Sequence, residues 1–350
     1  MKLLALILAL LTVVSCTTPS KPVSQLSSLD IVRINELFRI QKKVAKDVWP
    51  GFENAEFRFV VIERTNQFAI NVNPLPDYYT PTSLPKSVVQ EITSVAKTEV
   101  FRDAFGNKQP DAPAVLYNAY SKEMTGMHFK HSIYFVKSLD EYHRSGDKQT
   151  TEEWIHISFH ELFHTYQDQF VNYDSALMKE ITTPIKREIA KDDEHRKLVK
   201  KEVELLGQAA CSASMTKTKA NLKKALQLRS KRWAFLEKKY AFKPLQWERY
   251  DAWAEGTADY VELHLMSKFA FYQDDTLLKS DPFFDGFKEY KKEIQQAWCE
   301  LISSNKKQSY WYSLGFAYAL ILDKLMPDWK TKKLDSKLFF DAYFKELKVL

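Results

Sequence analysis

Glycine is scarce in this chain of 350 residues, with 8 in all, too few for the dense tight turns of an all-β sandwich or barrel. Three cysteines exclude a small domain held together by a disulfide framework. Charge of neither sign dominates: 51 Lys and Arg stand against 45 Asp and Glu, a net +6. That surplus attracts anionic surfaces only mildly, and nothing in the chain reads as a nucleic-acid module. The apolar run from Leu3 to Val14 is too short to span a bilayer. What is present is 45% hydrophobic and 14% aromatic content, enough for a substantial core in one large domain or in two lobes sharing a cleft. Long stretches rich in Lys, Glu, Leu and Ala favour helix. The expected fold class is α+β, predominantly helical with a small sheet.

The apolar run follows a single Lys2 and ends in Val13-Val14-Ser15-Cys16. This segment has the length of a secretory signal core and resembles a bacterial lipobox; an ordinary signal peptide or short anchor is the alternative. The resemblance implies that residues 1–16 are a lipoprotein signal peptide and that Cys16 is lipidated as the first residue of the mature protein. It also implies a location in the cell envelope, with membrane attachment through the N-terminal lipid. Thr17 stands where an inner-membrane retention signal would place Asp, which points to the outer membrane in a two-membrane bacterium. Residues 17–28 are rich in Ser, Thr and Pro and read as a flexible tether. Cys211 and Cys299 either pair in such an oxidising compartment or remain as buried thiols.

The folded body is expected over residues 29–350. Apolar residues at helical spacing predict a helix from Leu29 to Trp49. Two β-like runs, Phe57 to Ile62 and Phe68 to Val72, read as a hairpin. Pro74 to Pro85 reads as a loop, Ser87 to Phe101 as a helix, and Ala114 to Tyr117 and His131 to Val136 as strands. Thr150-Thr151-Glu152-Glu153 has the pattern of a capping box, opening a helix that runs to about Phe170. Two long amphipathic patterns follow within about 175–243, one carrying Ile185 through Ala210 and the other Leu222 through Tyr240, and predict an antiparallel helical pair packed on the body. Met215 to Lys243 carries basic residues with Glu237 as its single acid, read either as a solvated face or as a surface for anionic lipid.

His160-Glu161-Leu162-Phe163-His164 is an H-E-x-x-H motif on a helical pattern. Histidines four residues apart project from one face, close enough to share a tetrahedral zinc, and Glu161 lies about 100° round the helix, within reach of an activated water. Ile155, Ile157, Phe159, Leu162, Phe163 and Tyr166 make this helix apolar nearly all round, which disfavours a plain surface helix, because buried polar groups need partners. A third ligand is required. Trp253-Ala254-Glu255-Gly256-Thr257-Ala258-Asp259-Tyr260 supplies Glu255, flanked by small residues expected to let this helix approach the motif helix closely. Asp259 lies one turn later on the same face.

These two segments together resemble the gluzincin branch of the zincin metallopeptidases. The resemblance implies a zincin-like catalytic core with zinc held by His160, His164 and Glu255, Glu161 as general base and Asp259 supporting a ligating histidine. The interval from His164 to Glu255 is far longer than in the best-known gluzincins, so the helical pair reads as an insertion. In Tyr310-Trp311-Tyr312-Ser313-Leu314-Gly315, the opening of an apolar helix running to about Leu325, either tyrosine could donate to an oxyanion, and aromatic core packing is the alternative. Tyr312 is preferred, because Gly315 one turn later is expected to leave room for substrate. His156 could approach the metal or substrate or lie half-solvated, and His128 and His131 flank a predicted strand, either near where a zincin presents an edge strand to an extended peptide or as plain strand residues. His143, His195 and His264 read as structural or surface residues.

The expected activity is therefore lipid-anchored zinc-dependent hydrolysis of peptide bonds by an activated water, with Glu161 as base and a peptide or protein as substrate. Two alternatives stand beside it. One is a non-catalytic zincin-fold lipoprotein acting as a binding module, which would have no need of Glu161. The other is a zinc amidase acting on a non-peptide substrate.

Overall fold

The computed structural model describes residues 26–57, 59–63, 66–70, 81–82, 92–96, 134–167, 188–241, 245–272, 276–291, 310–332 and 338–350. Cys16, His128, His131, Cys299, most of the loop expected from Pro74 to Pro85 and the strand expected at Ala114 to Tyr117 lie outside them. Among the described residues, no helix is long and apolar enough to cross a membrane.

Helix α1 (Ser28–Val48) starts where Ser27 accepts a hydrogen bond from the Asp30 amide, so the folded body begins ahead of the expected tether end, with Leu26 already buried. Strands β1 (Phe59–Glu63) and β2 (Asn66–Ile70) pair antiparallel as the expected hairpin. They join β3 (Pro81–Thr82), β4 (Ile92–Ala96) and β5 (Tyr134–Lys137) in a sheet of order β3-β4-β2-β1-β5, in which only β1 and β5 run parallel. Strand β4 corrects the helix expected from Ser87 to Phe101. Ile92, Thr93 and Val95 are β-branched, and such residues favour a pleated surface over a helical turn.

Strand β5 leads through Ser138, whose hydroxyl caps α2 (Leu139–Arg144), towards α3 (Thr151–Gln167). The capping box forms as the sequence predicts: Glu153 N donates to Thr150 Oγ1 at 3.2 Å and Thr150 N to Glu153 Oε2 at 2.7 Å. Three further ties fix this end of α3. Thr151 Oγ1 donates to Asp281, itself bonded twice by the fully buried Arg33 of α1. Glu152 accepts from the amides of Asp285 and Phe287, and Trp154 Nε1 donates to the Lys137 carbonyl of β5. The buried side of α3 then packs Phe159, Phe163 and Tyr166 against Trp49, Phe52 and Phe57.

Helices α4 (Asp193–Cys211) and α5 (Met215–Tyr240) form the expected antiparallel pair, since Thr218 donates to the Ala209 carbonyl and Arg232 to Glu202. Its apolar stripe faces inward. The basic run of α5 is only partly a solvated face. Arg229 and Arg232 point inward, Arg229 to Asp341 of α8 (Phe340–Glu346) and Arg232 to Glu202 and Glu248. Cys211, the last residue of α4, is disulfide-bonded.

Helix α6 (Leu245–Ala270) is the axis of the molecule, in contact with α1, α3 and α7 (Tyr310–Leu325). Gly256 does not face the motif helix, as its sequence suggests. It meets Gly315 of α7, and a Cβ built on either glycine would overlap backbone of the other helix. The expectation that Gly315 leaves room for substrate is therefore corrected: that space is filled by the Ala252 carbonyl.

Candidate metal centre

On α3 the residues His156, His160 and His164 follow at four-residue spacing, and on α6 the residues Glu255, Asp259 and Glu262 share one face. Docking these two stripes creates the site. His160 Nε2 lies 3.1 Å and His164 Nε2 3.5 Å from the same oxygen, Glu255 Oε2. Ligands about 2.0 to 2.1 Å from a tetrahedral zinc stand roughly 3.3 Å from one another, so the separations match a shared ion. The ligand atoms of His160, His164 and Glu255 all lie within 4.8 Å of one another.

The other ring nitrogens are engaged as ligating histidines require. His160 Nδ1 is 3.0 Å from Glu262 Oε2 and 3.3 Å from Asp259 Oδ1. His164 Nδ1 is 2.8 Å from Gln167 Oε1, and the Gln167 amide reaches the Ala254 carbonyl and the Thr257 hydroxyl on α6. The Nε2 atoms of both imidazoles thus converge on one point while Nδ1 of each is held from behind. Exposure follows the same division: the side chains of Glu255 and His164 are 26% and 20% exposed, those of Asp259 and Glu262 4% and 5%. The converging side is wet and the supporting side dry.

The potential is cation-seeking. Burial works against a charge on His160, but Glu262, Asp259 and Glu255 outweigh it and hold its pKa well above the ordinary histidine value. Burial likewise opposes charge on His164, yet Glu255 prevails and its pKa is pushed up to about 8. Burial pushes the Glu255 carboxyl up, but the two imidazoles overcome this and hold it well below the usual carboxylate range. Surroundings that stabilise two imidazolium charges equally favour a divalent cation among the same carboxylates. Burial raises the Glu161 carboxyl above its usual range, against the pull of His164 and His160, which makes it a better proton acceptor when ionised.

The structure separates the two tyrosines. The Tyr312 ring stacks at 6.1 Å and 20° from the His160 ring, whereas the Tyr310 hydroxyl donates to Glu248 Oε2 at 2.7 Å within the buried Arg232 cluster. His156 contacts Glu262 rather than the converging point, with Nε2 3.0 Å from Oε1. His195 is buried beside the Tyr310 ring, and His143 and His264 bond backbone carbonyls. Glu262 is the residue that sequence reasoning missed, although its spacing of seven from Glu255 places it on the same helical face. Comparison with protein-family models, curated proteins and solved structures finds no match for this chain.

Proposed function

We propose that this protein is a zinc-dependent hydrolase of amide bonds, with peptide as its substrate, built on a gluzincin-like zincin core and anchored to the cell envelope through Cys16. The observation that carries this reading is the convergence of His160 Nε2 and His164 Nε2 on Glu255 Oε2, with both Nδ1 atoms braced from behind. His160, His164 and Glu255 would supply three protein ligands, the number typical of catalytic rather than structural zinc.

His160, His164 and Glu255 would hold a zinc ion, whose Lewis acidity would activate water near neutral pH. Glu161, one position after the first ligand and raised by burial, accepts the proton of the attacking water and delivers it to the leaving amine. The Tyr312 hydroxyl donates to the oxyanion that develops on the carbonyl. Glu262 and Asp259 behind His160 Nδ1 and Gln167 behind His164 Nδ1 favour the tautomer in which each ring would offer its Nε2 lone pair to such an ion. The disulfide at Cys211 supports an oxidising compartment and so agrees with an envelope location.

Metal analysis of the purified protein is expected to find about one zinc per chain. Full occupancy in a His160→Ala, His164→Ala double variant would remove the assignment. Screened against a peptide library with and without chelator, the wild type is expected to cleave only while zinc is bound. Glu161→Gln is expected to keep zinc and lose turnover by several orders of magnitude. Wild-type turnover in that variant would exclude Glu161 as the base.

A further inference from the structure

Glu262 belongs neither to the H-E-x-x-H motif nor to the Glu255 and Asp259 pair on α6. Its carboxylate is buried, and each of its two oxygens faces a different imidazole: Oε1 lies 3.0 Å from His156 Nε2 and Oε2 3.0 Å from His160 Nδ1. We propose that Glu262 is a positioning residue of the metal centre, bridging His156 to His160 and so fixing the ring from which His160 presents Nε2.

A carboxylate only accepts, so an imidazole nitrogen set against it is the one favoured to carry the ring proton. At His160 this places the proton on Nδ1 and leaves the Nε2 lone pair directed at Glu255 Oε2 and at the metal position, the tautomer a ligand needs. Asp259 is the farther of the two acids behind this ring, at 3.3 Å. Glu262 is itself restrained on its other side, where His156 Nε2 lies 3.0 Å from Oε1 and the His156 ring packs edge-on to Tyr290 at 5.6 Å. Two imidazoles one turn apart on α3 therefore clamp a single acid of α6. A two-point brace at 3.0 Å leaves His160 little freedom to rotate about its Cβ–Cγ bond.

This inference rests on the metal reading above, and the test keeps the two apart. Zinc affinity is measured by competition with a chromogenic chelator on the full chain, for wild type, Glu262→Gln, His156→Gln and the double variant, with far-UV circular dichroism as the check on folding. Glu262→Gln is expected to weaken zinc about 10 to 100-fold, as loss of a carboxylate behind a ligating histidine does. His156→Gln is expected to weaken it by a smaller factor, and by nothing further in the Glu262→Gln background, because His156 acts through Glu262. The visible absorption of the cobalt-loaded protein is expected to shift in Glu262→Gln, since the brace sets ligand orientation, and a merely structural change would leave it in place. If Glu262→Gln does not fold, His156→Gln decides by its own affinity and cobalt spectrum. Affinity within about twofold of wild type in every folded variant overturns the brace while leaving the metal reading intact. A wild type that binds no zinc overturns both.

Discussion

Tyr310 and Tyr312 stand two positions apart at the start of α7, and helical rotation sends them to different places. The hydroxyl of Tyr310 is spent on Glu248, whereas the ring of Tyr312 stacks over His160. Tyr312→Phe keeps the ring and its packing, so zinc content and folding should hold while kcat on a cleaved peptide falls about 100 to 1000-fold, the usual cost of one oxyanion donor. A kcat within about threefold of wild type would return Tyr312 to a packing role. Tyr310→Phe should do the reverse, leaving kcat nearly unchanged and lowering stability by about 1 to 3 kcal/mol through a lost buried hydrogen bond, measured by urea unfolding. The spacing of residues brings His160, His164, Glu255 and Asp259 into view, because motif and helical period act within one segment. It leaves the tyrosines undecided, since their roles depend on Arg232 and Glu248, far away in the chain. Glu262 is visible as a position on the face of Glu255 but not as a partner, because nothing in α6 announces that His156 will lie opposite.

Helix α3 is legible from its own sequence because its start carries local chemistry in Thr150 and Glu153, whereas Ser27, the cap of α1, lies within the stretch that reads as a tether. Which helix meets which is a property of two sequences at once. The small residues around Gly256 suggest contact with α3, yet Gly256 meets Gly315, and the approach to α3 is made by Gln167 reaching the Ala254 carbonyl. Strand β4 is hidden because its short β-branched run sits between segments with helical composition, and its pairing with β2 comes from tertiary contact. The α6–α7 crossing yields a test at this scale. A methyl on Gly315 would overlap the Ala252 carbonyl, which is backbone and cannot swing aside. Gly315→Ala should therefore destabilise, despite the better helix propensity of Ala, by about 1 to 3 kcal/mol or more. It should also move α7, and with it Tyr312, relative to His160. An unfolding midpoint equal to or above wild type would show that the two helices are not in backbone contact.

At the scale of the molecule the question is whether the helical pair between the two halves of the site is an appendage or part of the core. The helical pair is legible from its amphipathic period and its antiparallel form follows from its short connection, but its attachment is not, because the basic composition of α5 reads as a solvated face. Arg232 decides the matter. It is fully buried and donates to Glu202 within the pair and through both Nη atoms to Glu248 on α6, which also accepts from Trp233 and Tyr310. One guanidinium thus joins α4, α5, α6 and, through Tyr310, α7, the helix that carries Tyr312. Its removal leaves two carboxylates in a dry interior, for which the penalty is about 3 to 5 kcal/mol. The pair should accordingly open only with the rest of the fold. Native-state hydrogen exchange is expected to give the central amides of α4 and α5 the same opening free energy as those of α3, as members of one cooperative unit do. Arg232→Met should lower that energy in the pair more than in α3, because α3 keeps its ties to Asp281, to the Asp285 and Phe287 amides and to the β5 carbonyl. Wild-type α4 and α5 amides exchanging well ahead of α3 would make the pair a separate unit resting on the core and would detach Tyr312 from its influence.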